Sequence, residues 1–287
     1  MTSDPSQLNK YNYPLIVGIL NISPDSFSSQ TDAPLTINEV KGQIAELIAS
    51  GADVIEIGGE STRPGAIPLT QPQEATRLRP FLPIIAEIAN STLTTFALDT
   101  RYGQTARMGV DHGITMINDV SGGRDPEMLK LLTDLKREQD LRYVATHSLT
   151  VPANPKVVMT GDVIEQLVEW THNILRKIID CGFPAEQLII DPGIGFGKTG
   201  AQCFKIVRCL QQIKDKTKAP LFIGHSRKSF LALNSEQPAY LRDLETHVLT
   251  SLICQNNAID YLRVHDVAGT RRTLTLLSKY SLTDTDY

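Results

Sequence analysis

Eight times along the chain, a short and nearly continuous apolar run gives way to a polar turn and then to an amphipathic pattern. The runs are Leu15–Ser23, Val54–Gly59, Thr95–Thr100, Met116–Ser121, Arg142–His147, Leu188–Gly193, Pro220–Ser226 and Tyr261–Val267. Runs without polar alternation are expected of strands buried on both faces, as in a parallel sheet covered by helices. The plainest helix is predicted over Val163–Gly182. There Val163, Leu167, Ile174 and Ile178 recur at helical spacing and Gly182 supplies a stop. Eight such units between Leu15 and Tyr280 match a (β/α)8 barrel of ~250 residues. A doubly wound open sheet is the rival arrangement, but the count of eight and the lack of any linker favour the barrel. The expected fold is therefore α/β, with a parallel eight-stranded closed sheet. One domain should span 15–280, with an extension at 1–14 and a tail at 281–287.

Charge and composition exclude several kinds of partner. The formal net charge is −4, with no basic block, so no nucleic-acid surface is expected. No apolar run approaches the ~18–20 residues that span a bilayer. Residues 1–12 are polar, without the basic and apolar regions of a secretion signal, and a cytoplasmic location is expected. Cys181, Cys203, Cys209 and Cys254 form no C-x2-C pair, so they read as reduced thiols, with no zinc or redox chemistry.

In such a barrel the site lies at the C-terminal ends of the strands. Those ends carry Asn21, Glu60 to Arg63, Asp99, Asn118 and Asp119, Thr146 and His147, Asp191, Ser226 to Lys228, and Arg263, His265 and Asp266. Glu60 reads as a loop-orienting group, and Asp119 and Asp266 read as caps. Asn118, Arg263 and His265 stand within apolar strand text, where an unpaired polar group costs ~1–3 kcal/mol. Asp99, Asn118 and Asp191 could meet the N–H edge of a flat, amide-rich heterocycle, because ionised carboxylates only accept hydrogen bonds. Asn21, Arg63, Arg263 and His265 could surround an anion, and Lys228 could reach a carbonyl or carboxylate. Gly193-x-Gly195-x-Gly197-Lys198-Thr199 fails the phosphate-loop pattern because its first required glycine falls on Pro192. Those glycines read as a tight turn beside Asp191 and Phe196.

Seven strings occur in order: GILNISPDSF (18–27), DVIEIGGESTRPG (53–65), LDT (98–100), INDVSGG (117–123), DPGIGFGKT (191–199), SRKSF (226–230) and RVHDV (263–267). Together they resemble the dihydropteroate synthases, transferases of folate biosynthesis that sulfonamides inhibit. The resemblance implies a TIM barrel that joins 6-hydroxymethyl-7,8-dihydropterin pyrophosphate to p-aminobenzoate by dissociative substitution, with Mg2+ assisting, in a homodimer. Matched by motif, Asp99, Asn118, Asp191 and Lys228 would hold the pterin. Asn21 would bind Mg2+ and pyrophosphate, with Arg63, Arg263 and His265 on phosphate oxygens. Thr62, Pro64, Phe196, Lys228 and Ser229 would lie near p-aminobenzoate, and Asp25 and Phe27 would belong to the first loop. The resemblance assigns catalytic roles to Asp99, Lys228, Arg63 and Asp25. The chain departs from the family pattern at Ser28–Thr31, Arg101–Gly103, Thr146–Ser148 and Gln202-Cys203. Two alternatives share the barrel: a pterin-binding methyl-transfer module, and a pterin-binding paralogue without catalysis.

Overall fold

The computed structural model describes residues 13–22, 35–60, 66–135, 140–233 and 237–281. Its strands are β1 (Leu15–Asn21), β2 (Val54–Gly58), β3 (Thr95–Asp99), β4 (Met116–Asp119), β5 (Arg142–Thr146), β6 (Leu188–Asp191), β7 (Phe222–Ile223) and β8 (Tyr261–Val264). All pairings are parallel, in the order β6-β5-β4-β3-β2-β1-β8-β7. A parallel bridge between Ile190 and Leu221 joins β7 back to β6, and Ile190 N donates to Pro220 O at 2.9 Å. The sheet is therefore a closed barrel, not an open doubly wound sheet.

Each strand ends earlier than its apolar text, and β7 is two residues long where Pro220–Ser226 reads as strand. Proline at 220 has no N–H for a ladder, and residues 224–228 leave the sheet to build a turn. That turn carries Lys228 N to His225 O at 3.2 Å and Arg227 at φ 57°.

Ten helices are described instead of eight: α1 (Ile37–Ala49), α2 (Gln71–Leu78), α3 (Leu82–Ser91), α4 (Gly103–Val110), α5 (Pro126–Asp134), α6 (Val163–Asp180), α7 (Gly200–Arg208), α8 (Leu210–Thr217), α9 (Asp243–Ile253) and α10 (Val267–Ser281). The surplus comes from two crossovers that each hold a broken pair. Between α2 and α3, Pro80 cannot continue the donor ladder and Pro83 sits in the first turn of the next helix, where it is tolerated. Between α7 and α8 the backbone opens at Cys209 (φ −108°, ψ 18°).

Two apolar layers result from the period of two along each strand. One residue from each strand fills the barrel interior: Val17, Val54, Ala97, Met116, Val144, Ile189, Phe222 and Tyr261. The alternate residues, such as Ile16, Ile55, Phe96 and Ile117, pack outward against the helices. Helix α6 shows how the outer layer is closed. Val163, Ile164, Leu167, Ile174 and Ile178 are buried on one face, and Asp162 caps the start by accepting from Ile164 N at 2.8 Å. Gly182, at φ 75°, takes the left-handed conformation just beyond its end.

One acid is buried in the helical shell. Glu74 of α2 is 0% exposed, and its Oε2 accepts from Thr100 Oγ1 at 2.6 Å. Burial pushes its pKa from the ordinary 4.5 up to about 7. The folded state therefore holds this proton more tightly than the unfolded chain does. Its stabilising effect is full below pH ~4.5 and is lost as pH rises through about 7. Glu74→Gln should flatten the loss of stability between pH 5 and 8 and gain on the order of 1–3 kcal/mol at pH 8. Urea denaturation at both pH values measures this, and an unchanged pH slope would refute it.

Candidate active site

The apolar floor of the barrel dictates what stands above it. Stepping two or four residues from each floor residue keeps the side chain on the interior face. The steps lead from Val17 to Asn21, Val54 to Glu56 and Gly58, Ala97 to Asp99, and Met116 to Asn118. They continue from Val144 to Thr146, Ile189 to Asp191, and Tyr261 to Arg263 and His265. Strand register sets Asn21, Gly58, Asp99 and Asn118 side by side and Thr146 beside Asp191. Gly58 leaves room for its neighbours. A Cβ there would lie 3.7 Å from Asn21 Oδ1 and 3.8 Å from Asp99 Oδ2, so both side chains border the space that the glycine leaves open.

A chain of polar contacts crosses this interior. Arg263 Nη2 donates to Asp99 Oδ2 at 3.0 Å, and Arg263 Nε donates to Glu56 Oε1. Glu56 Oε2 accepts from Asn118 Nδ2 at 2.8 Å, while Asn118 Oδ1 accepts from Thr146 Oγ1 at 3.3 Å. One guanidinium thus serves two carboxylates. Burial first, and then the charge of Glu56, hold Asp99 well above the usual carboxylate range, although Arg263 opposes the shift.

On the opposite wall, Asp191 Oδ1 accepts from Gly193 N at 2.7 Å. Burial raises its pKa, and the nearby Lys228 ammonium opposes this. Lys228 donates to Ile194 O and lies 4.9 Å from the centre of the Phe196 ring. Burial lowers its pKa to about 8 against the pull of Asp191. The turn carrying Phe196 requires glycine. Gly193 has φ 67°, and a Cβ there would fall 1.8 Å from His147 O. Lys198 secures the same turn, donating to His147 O at 3.2 Å and Phe196 O at 3.1 Å. Its ammonium also lies 2.9 Å from His147 Nδ1. Burial, reinforced by Lys198, lowers His147 to about 3, so the imidazole is neutral and accepts this bond. The lysine of the glycine-rich run is thus spent on the fold and not on a phosphate.

This constellation can bind a flat ring through acceptors at Asp99, Asn118 and Asp191, with cations at Lys228 and Arg263 beside it. The pterin binding enzyme family model matches residues 17–265. A dihydropteroate synthase of Clostridium beijerinckii is 33% identical over 264 residues, covering 90% of both chains. The chain belongs to the dihydropteroate synthase family of pterin binding enzymes.

Among solved structures, the dihydropteroate synthase of Anaplasma phagocytophilum with bound 6-hydroxymethylpterin-monophosphate superposes with a TM-score of 0.83 at 31% identity. It covers 93% of this chain and 99% of its own. The dihydropteroate synthase of Xanthomonas albilineans with 4-aminobenzoic acid gives a TM-score of 0.83 at 29% identity, covering 94% of each chain. Several curated relatives are longer bifunctional proteins, and this chain spans only 31% to 58% of their length.

Against the dihydropteroate synthase motifs, the structure gathers Asn21, Asp99, Asn118, Asp191, Phe196, Lys228 and Arg263 at one end of the barrel. Ser229, itself exposed, follows Lys228 at the start of a 3-10 turn. His265 stands two residues beyond Arg263, and its Nδ1 shares a 3.0 Å hydrogen bond with Ser226 Oγ. Asp25, Phe27, Thr62, Arg63 and Pro64 lie outside the described residues. Two nitrogens of Arg263, Nε and Nη2, are engaged by Glu56 and Asp99.

Of the departures from the dihydropteroate synthase pattern, Ser28–Thr31 lie outside the described residues, while Arg101 and Gln202 have local roles. Arg101 pairs with Glu60 through two 3.0 Å bonds, and Glu60 also accepts from Leu69 N at 2.8 Å, as befits a loop-orienting acid. Asp119 accepts from Ser121 N and Gly123 N, and Asp266 from Gly269 N, all as local caps. Gln202 completes a capping box with Thr199 at the start of α7. Glu56 and Lys198 were missing from the expected site. The signal for Glu56 was an acid at an interior-parity position of the run DVIEIGG.

Proposed function

We propose that this chain is a dihydropteroate synthase in activity as well as family, condensing 6-hydroxymethyl-7,8-dihydropterin pyrophosphate with p-aminobenzoate. One observation carries the reading: two buried acids and an amide, Asp99, Asn118 and Asp191, stand above the apolar floor of the barrel with Lys228 and Arg263 beside them. Relatives crystallised with a hydroxymethylpterin phosphate and with 4-aminobenzoic acid support the same pair of substrates. In the reaction the methylene–oxygen bond breaks and pyrophosphate leaves with the electron pair. The aniline nitrogen then forms the new bond and releases a proton.

The chain's own groups suit each demand. Asp99 and Asp191 accept N–H bonds from the ring and screen positive charge that develops on it. Lys228, with its lowered pKa, can meet a ring carbonyl or the p-aminobenzoate carboxylate. Catalysis then rests on positioning and charge stabilisation, with no covalent nucleophile. Arg63 and Asp25 take catalytic roles in this proposal, Phe27 belongs with Asp25 to the first loop, and Thr62, Pro64, Phe196, Lys228 and Ser229 lie around the second substrate. Asn21 and His265 join Arg263 on the leaving group.

Mg2+ belongs to the proposal too. The donor set fits a hard cation held largely by substrate: Asn21 offers an amide oxygen beside the Asp99 carboxylate. No cluster of three metal-binding side chains occurs among the described residues. Bound to Asn21 and to phosphate oxygens, Mg2+ would supply Lewis acidity to the departing pyrophosphate.

A homodimer in the cytoplasm completes the reading. Among the described residues, no helix is long and apolar enough to cross a membrane. Leu244, Val248 and Leu252 form an exposed stripe on α9 that supports an association surface.

The test is pyrophosphate release. Release should require both substrates and Mg2+, and a sulfonamide should suppress it in competition with p-aminobenzoate. Release that ignores p-aminobenzoate, or pterin binding without release, would remove the synthase reading.

A further inference from the structure

Among the acids lining the inside of the barrel, Glu56 is the least exposed, at 1%, and no step of the reaction calls on it. Its two oxygens face donors from strands far apart in the chain: Arg263 Nε from β8 and Asn118 Nδ2 from β4. Strand register stacks this set along the barrel axis. Glu56 pairs with Ala97, two residues below Asp99. Asn118 pairs with Asp99 and with Val144, and Thr146 stands two residues above Val144. The polar chain therefore climbs from Glu56 through Asn118 to Thr146, from floor to mouth.

An asparagine amide presents either an acceptor or a donor, depending on which way it is turned. A carboxylate only accepts, so Glu56 compels Nδ2 to face the floor and Oδ1 to face the mouth. Thr146 imposes no such choice, because a hydroxyl donates or accepts as required. We propose that Glu56 is a specificity-determining positioning residue that locks Asn118 as an acceptor, so that the site selects a ring presenting N–H donors. The proposal rests on the pterin reading above and names the residue that enforces its donor-rich substrate class. With Asn118 locked, Asp99, Asn118 and Asp191 all present acceptors, and a ring carbonyl set against them meets only oxygen.

Glu56→Gln gives a directional test. Arg263 has no acceptor to offer, so the glutamine oxygen must stay on Arg263 and its NH2 must face Asn118. Asn118 can answer only by turning over, which puts Nδ2 towards Thr146 and the mouth. Thr146 then accepts where it had donated. The variant keeps the volume of the side chain while reversing the polarity of one contact.

The probes are 6-hydroxymethylpterin and 6-hydroxymethyllumazine. They share one ring system and differ at two adjoining positions: the pterin has a 2-amino donor beside an unprotonated N1, the lumazine a 2-oxo acceptor beside an N1–H. By calorimetry the unaltered protein should prefer the pterin by about 30-fold or more, and Glu56→Gln should shrink that ratio at least about tenfold. A general loosening of the site would weaken both probes alike and leave their ratio unchanged, which would overturn the proposal. So would an unaltered protein that does not discriminate between them. Thr146→Val provides the second variant. It should weaken binding yet preserve the order of preference, and an inverted order would assign the control to Thr146 instead. Neutron diffraction of the ligand-free protein reads the amide directly. Nδ2 hydrogens directed at Glu56, and reversed in Glu56→Gln, support the lock even if neither probe binds. Failure of both probes to bind would then count against the pterin reading alone. Hydrogens directed away from Glu56 in the unaltered protein would overturn the lock.

Discussion

Asp191→Ala is expected to weaken binding of a pterin ring by roughly 30- to 5,000-fold, the ~2–5 kcal/mol lost when one partner of a buried hydrogen-bonded pair is removed. Asp191 stands in the wall of the site with one oxygen on Gly193 N. Lys228 and Lys198 both feel its charge. Without it, ring N–H groups on that side lose their acceptor, and the two lysines lose a counter-charge that resists their burial. Asp191→Asn separates these effects. The amide oxygen can keep the bond from Gly193, but the NH2 group meets the ring as a donor against donors. The asparagine variant should therefore bind the pterin about as poorly as the alanine one, while its folded backbone survives. Calorimetry with 6-hydroxymethylpterin, alongside thermal unfolding of the ligand-free proteins, decides the matter. Near-normal affinity in either variant would remove Asp191 from the site.

The largest expected effect on stability belongs to Arg263. Arg263→Met leaves Glu56 and Asp99 side by side in the barrel with no counter-ion. Breaking a buried pair in this way costs about 3–5 kcal/mol. Asp99 already binds its proton more tightly than usual, and loss of the guanidinium tightens it further. The stabilisation from that proton is present in acid and lost as pH rises through the raised value. The deficit in Arg263→Met should therefore be smaller at pH 5 than at pH 8 in denaturant titrations. Arg263→Lys retains charge without the planar fork, so it can serve only one carboxylate at a time. It should fall between the methionine variant and the unaltered protein. Equal stability of all three proteins at pH 8 would show that Arg263 is not the brace described here.

The double duty of Arg263 marks where reading the sequence stopped. The eight apolar runs, their parallel order and the end of the barrel that carries polar groups were legible, because period-two geometry lifts each strand's next interior residue above the floor. Asp99, Asn118 and Asp191 followed from their place at the strand ends together with the motif resemblance. Glu56 obeyed the same rule and still escaped notice, because its partners lie 62 and 207 residues away and an isolated acid in apolar text reads as an oddity until they are known. The bracing of Glu56 and Asp99 by two Arg263 nitrogens was hidden for the same reason. The division of the α2–α3 crossover follows from Pro80 and Pro83 and could have been read in advance. The break at Cys209 has no proline or glycine to announce it. The shortness of β7 depended on where the chain must leave the sheet to deliver Lys228, a demand set by the tertiary structure.

That short β7 has a mechanical meaning. Between β6 and β7 the barrel is stitched by one bridge, Ile190 to Leu221, whereas β1 and β2 share a ladder of five residue pairs. Asp191 sits on one lip of this seam, and Lys228 on the other, reaching across to Ile194 O. A ring lodged between them would act as a rivet, fastening the joint where the hoop of hydrogen bonds is thinnest. The protein would then spend part of its affinity for the ring on holding its own wall together.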